Sequence, residues 1–574
     1  MVIYKIRMKG TNLMKKFFVL KLFIVCVFLF VSYMICGFTK YYIAPIYYGD
    51  EEIRVIIDDA EVTRNMPNVA VFVDGKAMLS FDTIKKYFDE YIYFDEKYNT
   101  VIITGDTDII KMKLDDNSLN LNGISKNIKV PVKKINDVIY VPVEELQKMY
   151  NIAVVHNEKL IITTDNIEYK EIKMNQKEKV KLYKKQISLT TGKVKAGEVL
   201  TVFSGEESEE YAKVRTTNGD LGYVKRKNLD GTIVLDKKII EDNKNIITKK
   251  INLTWEYAEN YTPNRLDQEK IEGLNIISPT WIYMKNTSGD IKFNTLSSEY
   301  IMWAKKKGYT LWPTLKNDSM GIERTSTLVT DMYARENIIA NVVELALKYG
   351  FDGINIDFEN MKMKDKDEFS QFIREFSATL RRNNLVASVD VNVPDGSETW
   401  SLCYDHKAIS DACDYMMLMA YDQYGRTKAG PVASLTWVEN NINKVIEREK
   451  VDRQKLVLCV PFYSKYRKDK ITMSGDEEIL KGISTSTLYM KSVKNYLANP
   501  KFKGSITWDD ELGQYYVEYR NQNVLERIWA EDENALKEKV KLVNKYNLAG
   551  VASWRWGFET PESWQVINET LNKK

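Results

Sequence analysis

The sequence predicts an α/β fold whose C-terminal half is a closed barrel of parallel strands alternating with helices. Three observations predict it. Residues 351–359 alternate small polar or acidic side chains with large apolar ones, as a strand with one polar face does. An amphipathic helix precedes this strand and another follows it. From about residue 245 to the C-terminus, short apolar stretches alternate with helical ones, which is typical of a parallel sheet.

The two helices beside the central strand are predicted from their apolar spacing. The first carries Ile338, Ile339, Val342, Val343 and Leu347, and Gly350 is placed to end it. The second carries Phe369, Phe372, Ile373, Phe376 and Leu380. Helix, strand, helix is the repeating unit of a (β/α)8 TIM barrel, in which side chains at the C-terminal ends of the strands line the active site. Eight candidate strands, as closure requires, are 251–255, 274–277, 310–315, 353–358, 386–393, 415–421, 456–461 and 550–554.

The length and composition limit the classes of fold, partner and cofactor that the chain can have. Its 574 residues imply several domains, and 83 Lys and Arg against 80 Asp and Glu do not indicate a nucleic-acid partner. The two histidines, His156 and His406, are far apart, and no Cys and His cluster has ligand spacing, so no metal site or cofactor is predicted. Cys459 is expected to be a buried apolar residue. Whether Cys403 and Cys413 pair, and the oligomeric state, stay open.

The N-terminus has the features of a membrane-directed segment. Residues 1–16 are basic and are expected to stay cytoplasmic, and the segment at 17–38 is uncharged from Leu22 to Phe38. We favour a single-pass transmembrane anchor at the cell membrane, with the rest of the chain extracytoplasmic. The alternative is a cleaved signal peptide and secretion to the cell wall.

Two accessory domains are predicted before the barrel. Residues 67–168 contain two similar units, each a short helix combined with a hairpin, and this layout resembles the α+β domain named after the N-terminus of copper amine oxidases. No copper ligands accompany it. Residues 177–232 contain short alternating segments with turns at Thr191-Gly192 and Asn218-Gly219, which indicates an all-β unit. Its Gly222-Tyr223-Val224 ending resembles bacterial SH3-like domains. Either domain is expected to act as a spacer or to contact the wall.

The central strand carries the strongest motif. Residues 352–359 read Asp-Gly-Ile-Asn-Ile-Asp-Phe-Glu, which resembles the signature of glycoside hydrolase family 18. Asn355 stands where chitinases have Asp, and this version is similar to that of bacterial peptidoglycan and spore-cortex N-acetylglucosaminidases. The resemblance covers residues 245–574. It implies a small α+β insertion at about 464–530, a stretch rich in Tyr and Trp.

The motif predicts which residue is the general acid of the reaction. Glycoside hydrolysis needs a group that protonates the departing oxygen, and Glu359, at the end of the strand, is the candidate acid and later base. The resemblance implies that Asp357 orients the 2-acetamido group of the substrate, whose carbonyl oxygen attacks the anomeric carbon. Asn355 is expected to contact substrate and to hold Asp357 by a hydrogen bond. Asp352 and Gly353 are expected to be structural, at the start of the strand.

Two further strands resemble the family. Residues 415–422 match a strand from which the family supplies a tyrosine hydroxyl to the acetamido oxygen, so Tyr421 is a candidate catalytic residue, and Met419 and Asp422 are candidate substrate contacts. Residues 550–557 match the last strand, whose Trp554 would form an apolar floor beneath the reacting sugar. Weaker candidates are Trp255, Trp281, Trp312 and Trp556.

Together these features predict a cell-envelope glycosidase. It is expected to cleave the β-1,4 bond after N-acetylglucosamine in peptidoglycan by a retaining, substrate-assisted mechanism, without metal or nucleotide. A chitinase or chitooligosaccharide hydrolase is the alternative enzyme. A non-catalytic glycan-binding protein and an envelope scaffold with a vestigial barrel are the non-enzymatic alternatives.

Overall fold

The computed structural model describes residues 53–63, 66–150, 152–157, 160–164, 168–184, 188–204, 208–237, 250–425, 428–500 and 502–572. The predicted basic segment at 1–16 and the predicted anchor at 17–38 lie outside these residues. Within the described ranges no helix has the length and apolar character needed to cross a membrane. The described residues divide into two compact units, 53–88 with 133–237 and 89–132 with 250–572.

Short strands dominate residues 53–237. In residues 53–88 they are β1 (Arg54–Ile57), β2 (Ala60–Glu61), β3 (Ala70–Val73) and β4 (Lys76–Ser80), followed by helix α1 (Phe81–Tyr87). In residues 89–132 they are β5 (Tyr93–Asp95), β6 (Thr100–Thr104), β7 (Ile109–Lys113), β8 (Ser118–Leu121) and β9 (Ile124–Asn127). In residues 133–164 they are β10 (Lys133–Ile135), β11 (Val138–Pro142), helix α2 (Val143–Tyr150), β12 (Ala153–Asn157) and β13 (Leu160–Thr164). In residues 168–237 they are β14 (Tyr169–Met174), β15 (Glu178–Lys181), β16 (Thr190–Val194), β17 (Val199–Phe203), β18 (Tyr211–Arg215), β19 (Leu221–Lys225) and β20 (Leu229–Lys237).

The first unit is built from three sheets. Two four-stranded sheets have the orders β12-β13-β1-β2 and β10-β11-β4-β3. The two predicted helix-plus-hairpin units share the second of these sheets, because β11 pairs antiparallel with β4 and each of these strands leads directly into a helix. A seven-stranded antiparallel sheet, β16-β15-β19-β18-β17-β14-β20, extends beyond the predicted range 177–232 on both sides. Its likeness to SH3-like domains stays a prediction.

The barrel belongs to the second unit. Its strands and those of the insertion are, in chain order, β21 (Ile251–Glu256), β22 (Ile276–Pro279), β23 (Ile282–Met284), β24 (Ile291–Lys292), β25 (Thr310–Leu311), β26 (Thr314–Lys316), β27 (Gly353–Asp357), β28 (Val386–Asn392), β29 (Tyr415–Met419), β30 (Leu456–Pro461), β31 (Tyr463–Ser474), β32 (Glu477–Tyr489), β33 (Ser505–Asp509), β34 (Gln514–Asn521), β35 (Val524–Ala530) and β36 (Gly550–Trp554). The helices are α3 (Ser298–Lys306), α4 (Ile322–Val329), α5 (Met332–Tyr349), α6 (Lys366–Arg382), α7 (His406–Ala412), α8 (Leu435–Asn443), α9 (Met490–Leu497), α10 (Glu533–Lys545) and α11 (Pro561–Leu571).

The predicted TIM-type barrel is confirmed. Strands β21, β36, β30, β29, β28, β27 and β26 pair in parallel, in that order. The second and third barrel strands are each broken in two: β22 pairs with β21 and β25, and β23 pairs with β26, so the sheet closes. Pro279 and Pro313 lie at the two breaks, and proline removes a donor from a strand ladder.

The helices flanking β27 follow the predicted pattern. Helix α5 begins after Asp331, whose Oδ1 accepts a hydrogen bond of 2.9 Å from the Ala334 amide. It ends at Gly350, which has the left-handed φ of 65° that favours glycine. On the predicted apolar face Ile338, Ile339 and Val342 are buried, Val343 is partly buried and Leu347 is 57% exposed. The Phe side chains of α6 bury one face of β27, and Phe358 stacks 5.6 Å from Phe372.

The sheet β5-β6-β7-β8-β9 belongs to the same unit as the barrel and packs on helices α5 and α6. Ile102 and Ile109 of the sheet contact Met332 and Ala378 of the helices in a shared apolar cluster. Beside this cluster a set of buried charges pairs across the same interface, as Lys111 lies 2.7 Å from Glu375. This segment of the predicted accessory domain is therefore part of the unit that contains the barrel.

The insertion between β30 and β36 is α+β. It is a five-stranded antiparallel sheet of order β32-β31-β35-β34-β33 with helix α9 against it. Elsewhere in the unit, Cys403, Cys413 and Cys459 are buried and free, so the open question of a pairing between Cys403 and Cys413 is answered in the negative.

Candidate active site

Strand β27 turns its polar face into the barrel. Ile354, Ile356 and Phe358 lie in the apolar cluster formed with the surrounding helices. Asn355 and Asp357 lie on the opposite face, and Glu359 lies two residues beyond the last residue of the strand. Because all strands of a parallel barrel end at one face, this places both carboxyl groups at the C-terminal end of the barrel, where such folds carry their active sites.

Asp352 and Gly353 fix the start of this strand. Asp352 Oδ2 accepts a hydrogen bond of 2.9 Å from the amide of Leu311. A Cβ atom on Gly353 would lie 2.6 Å from the carbonyl oxygen of Val386 and 2.8 Å from Trp312 Cδ1. Glycine is required here because the neighbouring strand approaches too closely for a side chain.

Asn355 differs from its expected role. It is fully buried, and its Nδ2 donates to Asp390 Oδ1 at 2.7 Å and to Ser388 Oγ at 3.1 Å, while its Oδ1 accepts from Trp255 Nε1 at 2.9 Å. Among the residues that the structure describes, the Asn355 side chain makes no hydrogen bond to Asp357, so this part of its expected role is wrong. The reason is register, because Asn355 pairs with Ser388 across the parallel strands, and Asp390 is the next inward residue of β28. Its contact with substrate stays a prediction.

Asp357 faces a lysine. Lys316 pairs with Asp357 in the β26–β27 register, and its Nζ lies 3.9 Å from Asp357 Oδ2. The same ammonium lies 3.2 Å from Asp318 and 3.4 Å from Glu259. Burial raises the pKa of Asp357, and the charge of Lys316 opposes this rise. Its Oδ1 is buried and has no hydrogen-bond partner among the residues that the structure describes, so it is available to a ligand.

Glu359 is held by its backbone and has a perturbed carboxyl group. Asn317 Oδ1 accepts from the Glu359 amide at 2.9 Å, and Asn317 Nδ2 donates to the Glu359 carbonyl oxygen at 2.9 Å. Burial, followed by the negative charge of Asp357, raises the pKa of Glu359 to about 8. A carboxyl group with this pKa holds a proton at neutral pH and can donate it, as a general acid requires.

The residues after β29 reach the same end of the barrel. Met419 is buried in the barrel interior and partly buried Tyr421 packs there. Burial raises the pKa of Tyr421 well above its ordinary value, so its hydroxyl stays protonated and can donate a hydrogen bond. Asp422 Oδ1 accepts a hydrogen bond of 2.8 Å from the hydroxyl of Tyr463.

The tryptophan candidates separate into two groups. Trp554 is only partly buried, and its ring centroid lies 6.0 Å from that of Trp255. Trp255 itself is 1% exposed and supports the site through Asn355. Trp281, Trp312 and Trp556 are also buried, so among the Trp candidates only Trp554 presents a surface to a sugar.

The sequence prediction missed three polar groups in the barrel interior: Asp390, Lys316 and Asn317. Burial, followed by the charge of Asp357, raises the pKa of Asp390 well above its ordinary value. The sequence did contain a signal for Asp390. Ser388, Asp390 and Asn392 alternate along the fifth strand as the motif residues do along the fourth, which predicts that they share one face. Among the described residues no group of three or more His, Cys, Asp or Glu side chains is arranged to hold a metal ion.

Comparison with known proteins agrees with this geometry. Residues 317–559 match the family model of glycosyl hydrolases family 18, and residues 56–163 match that of the copper amine oxidase N-terminal domain. The predicted resemblances to these two families are thereby confirmed, whereas the one to SH3-like domains stays a prediction. The chain is also similar in fold to a chitinase of Chromobacterium violaceum, with a TM-score of 0.50, 22% identity, and coverage of 57% of this chain and 100% of that one.

Three curated relatives are similar in sequence. The uncharacterized glycosylase YvbX of Bacillus subtilis is 27% identical over 51% of this chain and 83% of its own length. The cortical fragment-lytic enzyme of Bacillus subtilis is 24% identical over 45% of this chain and 58% of its own length. The human di-N-acetylchitobiase is 23% identical over 49% of this chain and 78% of its own length.

Proposed function

We propose that this chain, whose residues 317–559 match the glycosyl hydrolases family 18, is a glycosidase that hydrolyses peptidoglycan at the β-1,4 bond on the reducing side of N-acetylglucosamine. The observation that carries this proposal is the carboxyl group of Glu359, which is partly buried at the C-terminal end of the barrel and has a pKa raised to about 8. Glu359 supplies the proton, and Asp357, one inward step deeper, supplies negative charge beside it.

The proposed reaction has two steps. In the first, Glu359 protonates the glycosidic oxygen as its bond to the anomeric carbon breaks, and the carbonyl oxygen of the 2-acetamido group forms a bond to that carbon. Asp357 orients and stabilises the resulting oxazolinium ion, helped by the hydroxyl of Tyr421. In the second step, the Glu359 carboxylate takes a proton from water. The water oxygen attacks the anomeric carbon and opens the oxazolinium ring. Two displacements leave the product with retained configuration.

Lys316 explains how Asp357 and Glu359 can play different roles in this reaction. Its ammonium faces Asp357 and therefore favours the ionised form of that carboxyl group, which the cationic intermediate needs. The field of Asp357 in turn favours the protonated form of Glu359. In the proposed reaction the two neighbouring carboxyl groups take opposite protonation states, as an acid and an electrostatic stabiliser require.

Peptidoglycan is proposed over chitin for two reasons. Asn355 replaces the Asp of the chitinase pattern, and a curated relative bears the name cortical fragment-lytic enzyme. The chitinase alternative is supported by the di-N-acetylchitobiase relative and is retained as the second candidate. We also propose that the enzyme acts outside the cell, at the membrane or in the wall. The hydrophobic segment at 17–38 supports this location.

The test is a digest of purified peptidoglycan by the full-length chain, followed by borohydride reduction and mass spectrometry of the new reducing ends. Reducing-end N-acetylglucosamine, absent with Glu359→Gln, is the expected result. Reducing-end muramic acid would contradict the proposed bond. Cleavage of chitin oligosaccharides with no product from peptidoglycan would transfer the assignment to a chitinase.

A further inference from the structure

A cavity of about 320 Å³ lies at the C-terminal ends of strands β21 and β36. Its lining includes Tyr257, Asn260, Tyr261, Arg555 and Phe558. It opens at the same end of the barrel as Glu359, because both strands run parallel to β27. Arg555 directly follows Trp554, the partly buried aromatic candidate, so the cavity lies next to the predicted floor of the sugar site.

In the described part of the chain, the guanidinium group of Arg555 contacts aromatic rings rather than a carboxylate. Its guanidinium carbon lies 4.1 Å from the ring centroid of Phe558 and 4.5 Å from that of Tyr257, so aromatic rings contact its faces. The guanidinium donates no hydrogen bond to any side chain or carbonyl that the structure describes. Its five N–H groups lie in its plane and point away from the rings, so they are available to an acceptor approaching from the edge.

The nearby carboxylates already have partners. Glu256 accepts hydrogen bonds from Arg265 at 2.8 and 3.1 Å and from the hydroxyl of Tyr300 at 3.2 Å. Glu259 accepts from the hydroxyl of Tyr257 at 2.9 Å and lies 3.4 Å from Lys316. Arg265 and Arg555 thus line one cavity, but only Arg265 has a carboxylate of its own. Burial lowers the pKa of Arg555, as expected for a guanidinium that lacks such a partner.

We propose that Arg555 recognises a carboxylate carried on the glycan, through paired in-plane hydrogen bonds, while the ring of Tyr261 lies beside the same sugar chain. Tyr261 is 71% exposed and belongs to the same cavity. Planar, bidentate pairing is the geometry in which arginine binds carboxylates most strongly. This inference rests on the proposed function, because alternate sugars of peptidoglycan bear a lactyl carboxyl group and those of chitin bear none.

The carboxylate has two possible sources in peptidoglycan: the lactyl group itself, where no peptide is attached, or the stem peptide. Both present the same chemistry to Arg555. In either case the interaction contributes to binding and not to bond breaking. Its removal is therefore expected to raise KM for carboxylated glycans and to leave kcat nearly unchanged.

The test measures binding to the full-length chain carrying Glu359→Gln, by calorimetric titration. The ligands are a peptide-free glycan tetrasaccharide with free lactyl carboxylates, the same glycan with these groups converted to methylamides, a peptide-bearing tetrasaccharide, and a chitin tetrasaccharide. Adding Arg555→Gln is expected to weaken binding of the carboxylated glycans about 10- to 100-fold more than binding of the neutral ones. Arg555→Lys should recover part of the difference, because lysine keeps the charge but lacks the planar fork.

The control is Arg453→Gln, which removes an exposed arginine just before β30, at the opposite end of the barrel. It should change no affinity. Equal weakening of charged and neutral ligands by Arg555→Gln, or no weakening, would overturn the proposal, and thermal melting of each variant identifies any loss of folding. A response only to the peptide-bearing glycan assigns the carboxylate to the stem peptide.

The proposal and the proposed function fail separately. If the wild-type chain does not cut peptidoglycan but still prefers carboxylated glycans through Arg555, recognition stands and the substrate assignment falls. If it cuts peptidoglycan and Arg555→Gln makes no distinction between ligands, the recognition proposal alone falls.

Discussion

The Nδ2 atom of Asn355 lies 2.7 Å from Oδ1 of Asp390, and this hydrogen bond joins the motif strand to the fifth strand of the barrel. The chitinase pattern has a carboxyl group at position 355. Here the amide stands at that position and a carboxyl group stands beside it, on the neighbouring strand. Burial and the charge of Asp357 raise the pKa of Asp390, so the carboxyl group of Asp390 favours its neutral form.

Exchanging these two groups tests their coupling. Asn355→Asp removes the amide donors to Asp390 and Ser388 and places two acids together, so we expect it to lower the free energy of unfolding by about 1–3 kcal/mol at neutral pH. The double variant Asn355→Asp, Asp390→Asn should regain much of this loss, because the hydrogen bond can form with its ends reversed. Urea unfolding of the two single variants and the double variant measures this coupling. Additive losses would mean that the two side chains act independently.

The pH dependence of activity is predicted from the carboxyl groups of Glu359 and Asp357, to which the proposed function gives catalytic roles. Because the pKa of Glu359 is raised to about 8, kcat/KM should fall as pH rises through this value and the acid loses its proton. Lys316 lowers the pKa of both Glu359 and Asp357, so Lys316→Met should move both limbs of the profile to higher pH. The profile is measured on a fluorogenic N-acetylglucosaminide. Lys307→Met, which removes a lysine paired with the exposed Glu269, is the control and should leave the profile in place.

Glu359 should also make stability depend on pH. Its pKa in the folded chain, about 8, is above its ordinary value of 4.5, so between these values the folded state binds more protons than the unfolded state. The free energy of unfolding of the wild type therefore decreases as pH rises through this window. Glu359→Gln does not titrate, so its stability advantage should be small at pH 4 and grow to the order of a few kcal/mol at pH 8. Melting temperatures at both pH values measure it, and a constant difference would contradict the buried state of this carboxyl group.

The interface between the β5–β9 sheet and the barrel helices contains buried charges. Lys111 lies 2.7 Å from Glu375 and from Glu336, and fully buried Arg335 lies 3.3 Å from Glu375. Lys111→Met should lower the free energy of unfolding by about 3–5 kcal/mol, because it removes one partner of a buried pair.

The matched control for this prediction is Lys97→Met, on the same segment. Lys97 pairs with Asp331 but is 60% exposed, so its loss should cost no more than about 1 kcal/mol. Chemical denaturation of both variants gives the comparison. Similar small losses would indicate that the β5–β9 sheet contributes little to the stability of the unit that contains the barrel.

The comparison of sequence and structure is clearest in the barrel. Strands β30 and β36 have the predicted bounds, because each is a continuous apolar run between clear ends. The breaks in the second and third strands were missed at Pro279 and Pro313. Apolar content alone hides a lost backbone donor, and these prolines were the available signal.

The sequence by itself predicted the (β/α)8 barrel, the resemblance to glycosyl hydrolases family 18, and the strand that carries Asp357 and leads to Glu359. Alternation and helical spacing are local properties, and they survive folding because each buried face must be apolar. Tertiary structure alone decided that Asn355 donates a hydrogen bond to Asp390 and that Lys316 faces Asp357. It also decided that Arg555 pairs with no carboxylate among the described residues and that the β5–β9 sheet belongs to the same unit as the barrel. These pairings join residues far apart in the chain. A sequence does not show whether a charged side chain is exposed to water or paired with a buried partner. Only the folded structure distinguishes these two environments.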